Sequence, residues 1–473
     1  MNFTEYAACD GLALADLIAR GEVTVAEVTA CAQAAIDDRN PQLNAVLTDL
    51  DGQAYADDQP FSGIPFLIKE LVLTAAGAKS RGGSRSTPDA PAPADTNLMA
   101  AYRQAGLQLI GTTQTPEMGY NATTETVAFG PVHNPWKTGH SAGGSSGGSG
   151  AAVAAGLVPI AHANDGGGSI RIPASCNGIV GLKPTRDRTP TGPDSSDPLF
   201  AHAIEFVVTR SVRDAAALLD CVAGPDLGAP HLIAPPVESF LAAAKAPPRK
   251  LTIAYTEGSL LKGVDMHDEN IQAARLAAER LGDLGHTLIP CPVEVDFDEF
   301  AKHINVIWCA FAAQFVQSVT ANVGCTADND HFEAVTLTCA EFGKKVASLE
   351  ILDALAYVNQ ITRSTAQAFE EFDVLMSATV ATPPPVHGTL DQNDASLSAI
   401  EWTRQTFEYA NNTPLFNSTG QPAISLPLHW TTDNLPVGVQ FAGRMGEEGT
   451  LLNLASQLEQ ACDWRAKQAA LWT

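Results

Sequence analysis

Residues 143–185 read GGSSGGSGAAVAAGLVPIAHANDGGGSIRIPASCNGIVGLKPT and contain two glycine–serine clusters, at 143–149 and 165–169. Between them, a small-residue segment at 151–156 and an apolar segment at 157–163 predict a helix and a buried strand. A flexible linker would stay polar and low in complexity, so this composition argues against one. Glycine permits positive φ and close backbone approach, which lets N–H groups converge on a ligand and lets a serine occupy a tight turn.

The two clusters differ in the structure predicted around them. The pattern G-x-S-x-G occurs at 143–147, but polar, turn-like residues precede it, whereas a nucleophile elbow must follow a strand. The cluster also lacks the glycine patterns of dinucleotide-binding turns and P-loops. Ser169 does follow the predicted strand and precede a predicted short helix, which suits a nucleophile beside an oxyanion hole. A plain helix cap is the alternative, and the residues alone leave both open.

Lys69 lies in an otherwise largely aliphatic segment, residues 63–73, that predicts a buried strand. A charged lysine is costly to bury. Either the side chain therefore extends to solvent, or its surroundings lower its pKa.

Composition excludes several classes of function. The chain has 473 residues, of which 45% are apolar, and carries a formal net charge of -25, which argues against nucleic-acid binding. It shows no apolar run of membrane-helix length and no secretory pattern, so we expect a cytoplasmic protein without a membrane partner. The nine cysteines form no C-x-x-C and the histidines no ligand pair, so we expect reduced thiols, no metal and no cofactor.

Periodicity along the rest of the chain predicts an α/β protein. A capping box at 24–27 starts a helix, residues 96–113 read as helix then strand, and 251–290 reads as a β-α-β unit. The region 298–372 is mostly helical in pattern. No repeat or linker divides the chain, so one continuous α/β domain, 1–473, is predicted.

These segments carry a resemblance to a known family. The glycine–serine blocks, together with G-I-P-F-L-I-K, T-P-E-M-G, N-P-W, Q-P-A-I-S-L-P and L-P-V-G-V-Q-F, are similar to the amidase signature family over nearly the whole chain. The resemblance implies a mixed, twisted β-sheet sandwiched between α-helical layers. It also implies a signature core at about 60–225 and a helical, substrate-shaping insertion at about 298–372.

The resemblance further implies a Ser-cisSer-Lys triad and an acyl-enzyme mechanism. Carried over motif by motif, Lys69 is the base, Ser145 is a bridging serine preceded by a cis peptide, and Ser169 is the nucleophile. The implied oxyanion hole is formed by backbone N–H groups, those of Gly166, Gly167, Gly168 and Ser169. The sequence departs from the family pattern at Asn164, where threonine is more usual, and at Glu70, where aspartate is common.

Within the family the motifs look most like those of hydrolases that open cyclic amides of the 6-aminohexanoate type. We therefore expect a serine amidase whose partner is a small, largely apolar amide; a homodimer is left open. The alternatives are the A subunit of a glutamine-dependent aminoacyl-tRNA amidotransferase, and an aryl-acylamidase or carbamate hydrolase. The segment after Thr185 lacks the aromatic-rich run usual in those subunits, which favours the hydrolase. Trp308 and Cys309 are candidate pocket residues, with a buried helix face as the alternative.

Overall fold

A large sheet organises the fold in the computed structural model, which describes residues 1–50 and 52–472. The strands, in chain order, are β1 Val46–Asp49, β2 Ile64–Lys69, β3 Leu107–Thr113, β4 Glu125–Thr126, β5 Gly130–Pro131, β6 His133–Asn134, β7 Lys137–Ser141, β8 Ile160–Asp165, β9 Val180–Lys183, β10 Ile204–Thr209, β11 Thr252–Tyr255, β12 Leu261–Lys262, β13 Thr287–Pro290, β14 Val295–Asp296, β15 Val374–Ala378, β16 Ala423–Trp430 and β17 Pro436–Gly443.

Helices flank this sheet. In chain order they are α1 Phe3–Ala8, α2 Gly11–Ala19, α3 Val25–Leu43, α4 Asn97–Gln104, α5 Gly147–Ala154, α6 Arg171–Asn177, α7 Val212–Val222, α8 Phe240–Lys245, α9 Asp268–Asp283, α10 Phe297–Val323, α11 Ala334–Gly343, α12 Ser348–Ala368, α13 Ala399–Tyr409, α14 Pro414–Thr419, α15 Glu448–Cys462 and α16 Trp464–Ala469.

Within the described residues, eleven strands pair in the order β1-β3-β2-β8-β10-β9-β16-β17-β15-β11-β13. The sheet is mixed: β3, β2 and β8 run parallel, as do β15, β11 and β13, while the strands between these two groups pair antiparallel. The predicted α/β class and mixed sheet are confirmed. Strands from early and late segments of the chain meet in its centre, which brings remote side chains together there.

The central strands are buried on both faces, which explains their near-continuous apolar sequences. All six side chains of β2 are buried, because β3 and β8 lie on either side of it and α3 and α5 pack against it. This packing takes Lys69, the last residue of β2, out of contact with solvent. Of the two outcomes left open by the sequence, extension of the lysine to solvent is therefore wrong.

Most predicted elements are present, with shifted ends. The capping box formed by Thr24 and Glu27 starts α3, and β11, α9 and β13 form the predicted β-α-β unit with parallel strands. The strand predicted over 157–163 begins later, at Ile160, and the helix predicted over 151–156 begins earlier, at Gly147. Residues 298–372 are mostly helical as predicted, in α10, α11 and α12.

Helix α10 is long and apolar enough to cross a membrane, the one helix among the described residues that is. Half of its most apolar window is buried inside the fold, where α11, α12 and α13 pack against it. The expectation that the chain has no apolar run of membrane-helix length is therefore wrong, although a core helix can pass the same test of length and composition.

Gly343, the last residue of α11, lies close against the backbone of α10. A Cβ built there would lie 1.8 Å from the carbonyl oxygen of Cys309, a backbone atom that cannot turn aside. Gly282 in α9 is a matched control, because a Cβ there meets nothing within 4 Å.

We predict that Gly343→Ala lowers the thermal unfolding midpoint, because overpacking costs about 1–3 kcal/mol. Gly282→Ala should raise the midpoint slightly, since alanine is favoured over glycine in a helix interior by about 1 kcal/mol. Scanning calorimetry of both variants checks this. Equal midpoints for the two variants would contradict the close contact.

Candidate active site

The second glycine cluster forms the turn between β8, which ends at Asp165, and α6, which begins at Arg171. Ser169 lies in this turn and its side chain is almost completely buried, yet no described group forms a hydrogen bond with its Oγ. The predicted strand, glycine turn and short helix are therefore all present, and they leave the Ser169 hydroxyl free of protein partners in the described structure.

A buried ion pair fixes the two ends of this turn. Arg171 Nε and Nη2 donate to the two Asp165 carboxylate oxygens, both at 2.9 Å. The remaining Arg171 donors bind the Thr413 carbonyl at 2.8 Å, Gln440 Oε1 at 2.6 Å and Asn417 Oδ1 at 2.6 Å. All five N–H donors of a guanidinium are thus used. The turn is therefore anchored to α14 and β17, which come from the far end of the sequence.

The Asp165 carboxylate also binds the turn itself. It accepts hydrogen bonds from the backbone N–H of Gly168 at 2.7 Å and of Ile170 at 3.2 Å, and from Asn417 Nδ2 at 2.8 Å. Burial alone would raise its pKa, but the charge and hydrogen bonds of Arg171 hold the pKa at about 2. Asp165 is consequently ionised at neutral pH.

Gly168 has a conformation that only glycine adopts readily. Its φ is +134°, and a Cβ there would lie 2.2 Å from Thr413 Oγ1. The Gly168 N–H donates to Asp165, so it is not free to bind a ligand. The role of Gly168 is to allow the backbone conformation of the turn. Within the described residues the N–H groups of Gly166, Gly167 and Ser169 have no acceptor. These three N–H groups are the available donors for an oxyanion.

The first glycine cluster brings Ser145 to Lys69. The peptide bond between Gly144 and Ser145 is cis, the isomer that the resemblance implies. Lys69 Nζ lies 2.7 Å from Ser145 Oγ, 3.1 Å from Ser146 Oγ and 2.6 Å from Asn164 Oδ1. The Lys69 amine and the Ser145 hydroxyl are therefore within direct proton-transfer distance.

The partners of Lys69 determine which way its lone pair points when the amine is neutral. Asn164 Nδ2 donates to the Leu71 carbonyl at 3.0 Å, which leaves Asn164 Oδ1 to accept from Nζ. Ser146 Oγ donates to the Asn164 carbonyl at 3.3 Å, so it also accepts from Nζ. A neutral amine has two donors and one lone pair. Both N–H bonds are thus occupied, and the lone pair faces the Ser145 hydroxyl.

Burial lowers the pKa of Lys69 from 10.5 to about 7, although the nearby carboxylates of Glu205 and Asp165 raise it. The lysine is wholly buried, so desolvation of the ammonium outweighs these two attractions. A lysine with this pKa is neutral in a substantial fraction of molecules at pH 7. It can accept a proton there, which an exposed lysine cannot.

A cavity of about 820 Å³ opens in front of these groups. Its wall includes Ser145, Ser169, Gly166 and Asn164, and apolar residues supply much of the remainder: Leu71, Val72, Met118, Leu199, Phe200, Trp308 and Phe311. The volume lies within the usual range for small-molecule sites, about 300–1,000 Å³. Ser145 and Ser169 therefore line one largely apolar cavity, and Lys69 lies behind Ser145 in direct contact with its hydroxyl.

Of the two candidate pocket residues on α10, Trp308 reaches the cavity and Cys309 does not line it. The Trp308 ring stacks on Tyr120, with ring centroids 4.3 Å apart. Cys309 is fully buried, and its Sγ contacts Asn305 Oδ1 at 3.3 Å within the helix. Adjacent residues of a helix point about 100° apart, which explains the different environments.

Sequence reasoning missed the contributions of Ser146 and Asn164. Both contact Lys69 Nζ, and neither was among the predicted site residues. The signal for Asn164 was its departure from the threonine more usual at that position. Ser146 gave no separate signal, because it lies within a run of small residues.

Comparison with known proteins identifies the class of the chain. The Amidase family model matches residues 13–452. A 6-aminohexanoate-cyclic-dimer hydrolase of Paenarthrobacter ureafaciens is 35% identical, with 98% of this chain and 96% of the relative covered. A putative amidase of Mycobacterium tuberculosis is 36% identical, with 96% and 95% covered. The solved structure of a 6-aminohexanoate cyclic dimer hydrolase superposes with a TM-score of 0.90 at 32% identity, covering 99% of each chain.

The chain belongs to the amidase signature family. It is an amidohydrolase that acts on carbon–nitrogen bonds other than peptide bonds.

We predict that Asp165→Asn lowers the free energy of unfolding by about 3–5 kcal/mol, because the Arg171 guanidinium is left buried without a counter-charge. The control is Asp433→Asn, which removes an exposed pair with Lys137 and should cost no more than about 1 kcal/mol. Thermal unfolding of both variants provides the comparison. If both midpoints fall equally, the buried pair does not hold the turn.

Proposed function

We propose that this amidase hydrolyses a small, uncharged, largely apolar carboxamide through an acyl-enzyme on Ser169. Of the cyclic and linear amides of the 6-aminohexanoate type, the cyclic one is the candidate substrate, because the linear one ends in a carboxylate. The observation that carries the proposal is the 2.7 Å contact between Lys69 Nζ and Ser145 Oγ at the cavity that Ser169 also lines.

In the first half-reaction, Ser169 Oγ attacks the substrate carbonyl carbon. Its proton passes to Ser145 Oγ, while the Ser145 proton passes to the neutral Nζ of Lys69. The carbonyl oxygen becomes an oxyanion and accepts hydrogen bonds from the free N–H groups of Gly166, Gly167 and Ser169. Removal of one such preorganised donor costs about 2.7–4 kcal/mol in an unrelated serine protease.

Collapse of the tetrahedral intermediate breaks the carbon–nitrogen bond. The leaving nitrogen takes a proton from Ser145, which regains one from the Lys69 ammonium, and the amine departs. Water then attacks the acyl-enzyme by the same proton route and releases the acid and free Ser169. Lysine thus returns to its neutral form after each half-reaction.

The cavity lining supports an uncharged substrate. Its ionisable side chains, among the described residues, are the carboxylates of Asp194, Asp197 and Glu205, and no arginine or lysine forms part of its wall. A substrate carboxylate would meet repulsion and find no cationic partner. Relatives that are 34–35% identical over nearly the whole chain carry the name 6-aminohexanoate-cyclic-dimer hydrolase, and a cyclic dimer has no charged end.

The same lining argues against the glutamine-dependent alternative. Free glutamine carries an α-carboxylate, which proteins usually bind with arginine or lysine. The apolar wall formed by Trp308, Phe311 and Leu199 suits methylene groups instead. We therefore favour a stand-alone hydrolase.

We predict that the purified chain alone releases amine from uncharged amides and that Ser169→Ala abolishes this release. The panel is the cyclic 6-aminohexanoate dimer, its linear dimer, an anilide, a carbamate and glutamine. Mass spectrometry detects the released amine or, for the cyclic dimer, the ring-opened linear product. Treatment with a phosphonofluoridate should place the adduct on Ser169. A stable adduct on another residue, or cleavage of glutamine alone, would overturn the proposal.

We predict that the rate of phosphonylation rises with pH through about 7, because Lys69 acts as a base only after losing its proton. Lys69→Arg keeps a permanent positive charge, so it should inactivate as fully as Lys69→Ala, by about 10² or more. Labelling rates from pH 5 to pH 9 test both statements. Retention of most of the rate in Lys69→Arg would show that lysine is not the base.

A further inference from the structure

Behind Lys69, a histidine and a glutamate link the lysine to a neighbouring strand. The Lys69 backbone N–H donates to His162 Nδ1 at 3.4 Å, so the proton of the imidazole is on Nε2. His162 Nε2 then donates to Glu205 Oε2 at 3.1 Å. Burial lowers the pKa of His162, which keeps the ring neutral. The unit of His162 and Glu205 therefore carries one negative charge.

Glu205 also lies beside the other partners of Lys69. Its Cα pairs with that of Asn164 across β8 and β10, and Asn164 Oδ1 accepts from Lys69 Nζ at 2.6 Å. The Glu205 side chain is almost completely buried and lines the same cavity as Ser145 and Ser169. Its second carboxylate oxygen, Oε1, forms no hydrogen bond with any described residue.

The charged and titratable groups around Lys69 come from four elements and from the residue that follows β2. They are Glu70, directly after β2, whose carboxylate is bound by Arg81; His162 and Asp165 on β8; Glu205 on β10; Arg171 on α6; and Lys183 on β9.

Two of the carboxylates in this set, Asp165 and Glu70, have cationic partners. Arg171 pairs with Asp165 at 2.9 Å, and Lys183, whose pKa burial lowers to about 7, adds positive charge near that carboxylate when it is protonated. Arg81 pairs with Glu70 at 2.7 Å. Glu205 has only the neutral imidazole of His162 as its described partner. Of the two carboxylates that raise the pKa of Lys69, Glu205 is therefore the one without a cationic partner among the described residues.

We propose that Glu205 is a positioning residue for Lys69: its carboxylate stabilises the ammonium that forms when the lysine takes up the Ser169 proton, and His162 holds that carboxylate in place. The proposal rests on the proposed role of Lys69 as base. Without Glu205, the lysine would be a weaker base and would hold the proton less well until the amine leaves.

The test uses Glu205→Gln, which keeps the size of the side chain and an acceptor for His162 but removes the charge. The readout is the pH dependence of Ser169 phosphonylation, which needs no knowledge of the substrate. We expect the midpoint of the rising limb to move to lower pH by about one unit, because removal of a nearby opposite charge lowers the pKa of an amine by about 1–3 units.

Three further variants separate charge from shape. Glu205→Asp keeps the carboxylate and should keep the wild-type midpoint. Glu205→Ser removes the charge and should shift it as glutamine does, so either uncharged variant suffices if one fails to fold. Asp197→Asn removes a more exposed carboxylate from the same cavity, already paired with His231, and should leave the midpoint in place.

The outcomes distinguish this inference from the proposed function. A midpoint that is unchanged or higher in folded Glu205→Gln overturns the role of Glu205 while leaving the lysine mechanism intact. A shift of equal size in Asp197→Asn also overturns it, because any cavity charge would then act alike. If wild-type Ser169 is not labelled at any pH, the proposed function itself fails, and the role of Glu205 fails with it.

Discussion

The buried ion pair between Asp165 and Arg171 is the interaction on which the site depends. Asp165 ends a central strand and Arg171 begins the following helix, so their contact closes the glycine turn between them. The carboxylate also binds the Gly168 N–H, which leaves the neighbouring N–H groups free. Through Asn417 and Gln440 the guanidinium connects this turn to helix α14 and strand β17. The Asp165 carboxylate and the Arg171 guanidinium therefore stabilise both the glycine turn and its packing against the C-terminal part of the chain.

The chemistry of Lys69 follows from a second constraint, its complete burial. The helices and strands around β2 remove water from the ammonium and so lower its pKa to about 7. The hydrogen bonds that Nζ donates to Ser146 and Asn164 fix the direction of the amine. A histidine base is not required by this arrangement. The small residues near Ser145 allow the segment to approach the lysine; at Gly144, for example, a Cβ would lie 2.5 Å from the Thr123 carbonyl oxygen.

Local sequence predicted much of the fold and part of the site. The turn at Ser169 could be predicted because a buried strand, glycines and a short helix are adjacent in sequence. Whether the Lys69 side chain is buried could not be predicted from the sequence of its own strand, since its burial depends on β3, β8 and two helices. The occupied N–H of Gly168 and the different environments of Trp308 and Cys309 depend on conformation and helix phase. Glu205 gave no signal, because it meets His162 only through strand pairing.

A crystal structure of the enzyme phosphonylated by a small phosphonofluoridate would test whether Ser169 is the nucleophile and whether the glycine turn forms the oxyanion hole. We expect phosphorus bonded to Ser169 Oγ and a phosphoryl oxygen within hydrogen-bond distance of the N–H groups of Gly166, Gly167 and Ser169. We also expect that the Gly168 N–H still donates to Asp165. Two results would contradict this assignment of the oxyanion hole: a phosphoryl oxygen directed away from the turn, or a Gly168 N–H that binds the phosphoryl oxygen instead of Asp165.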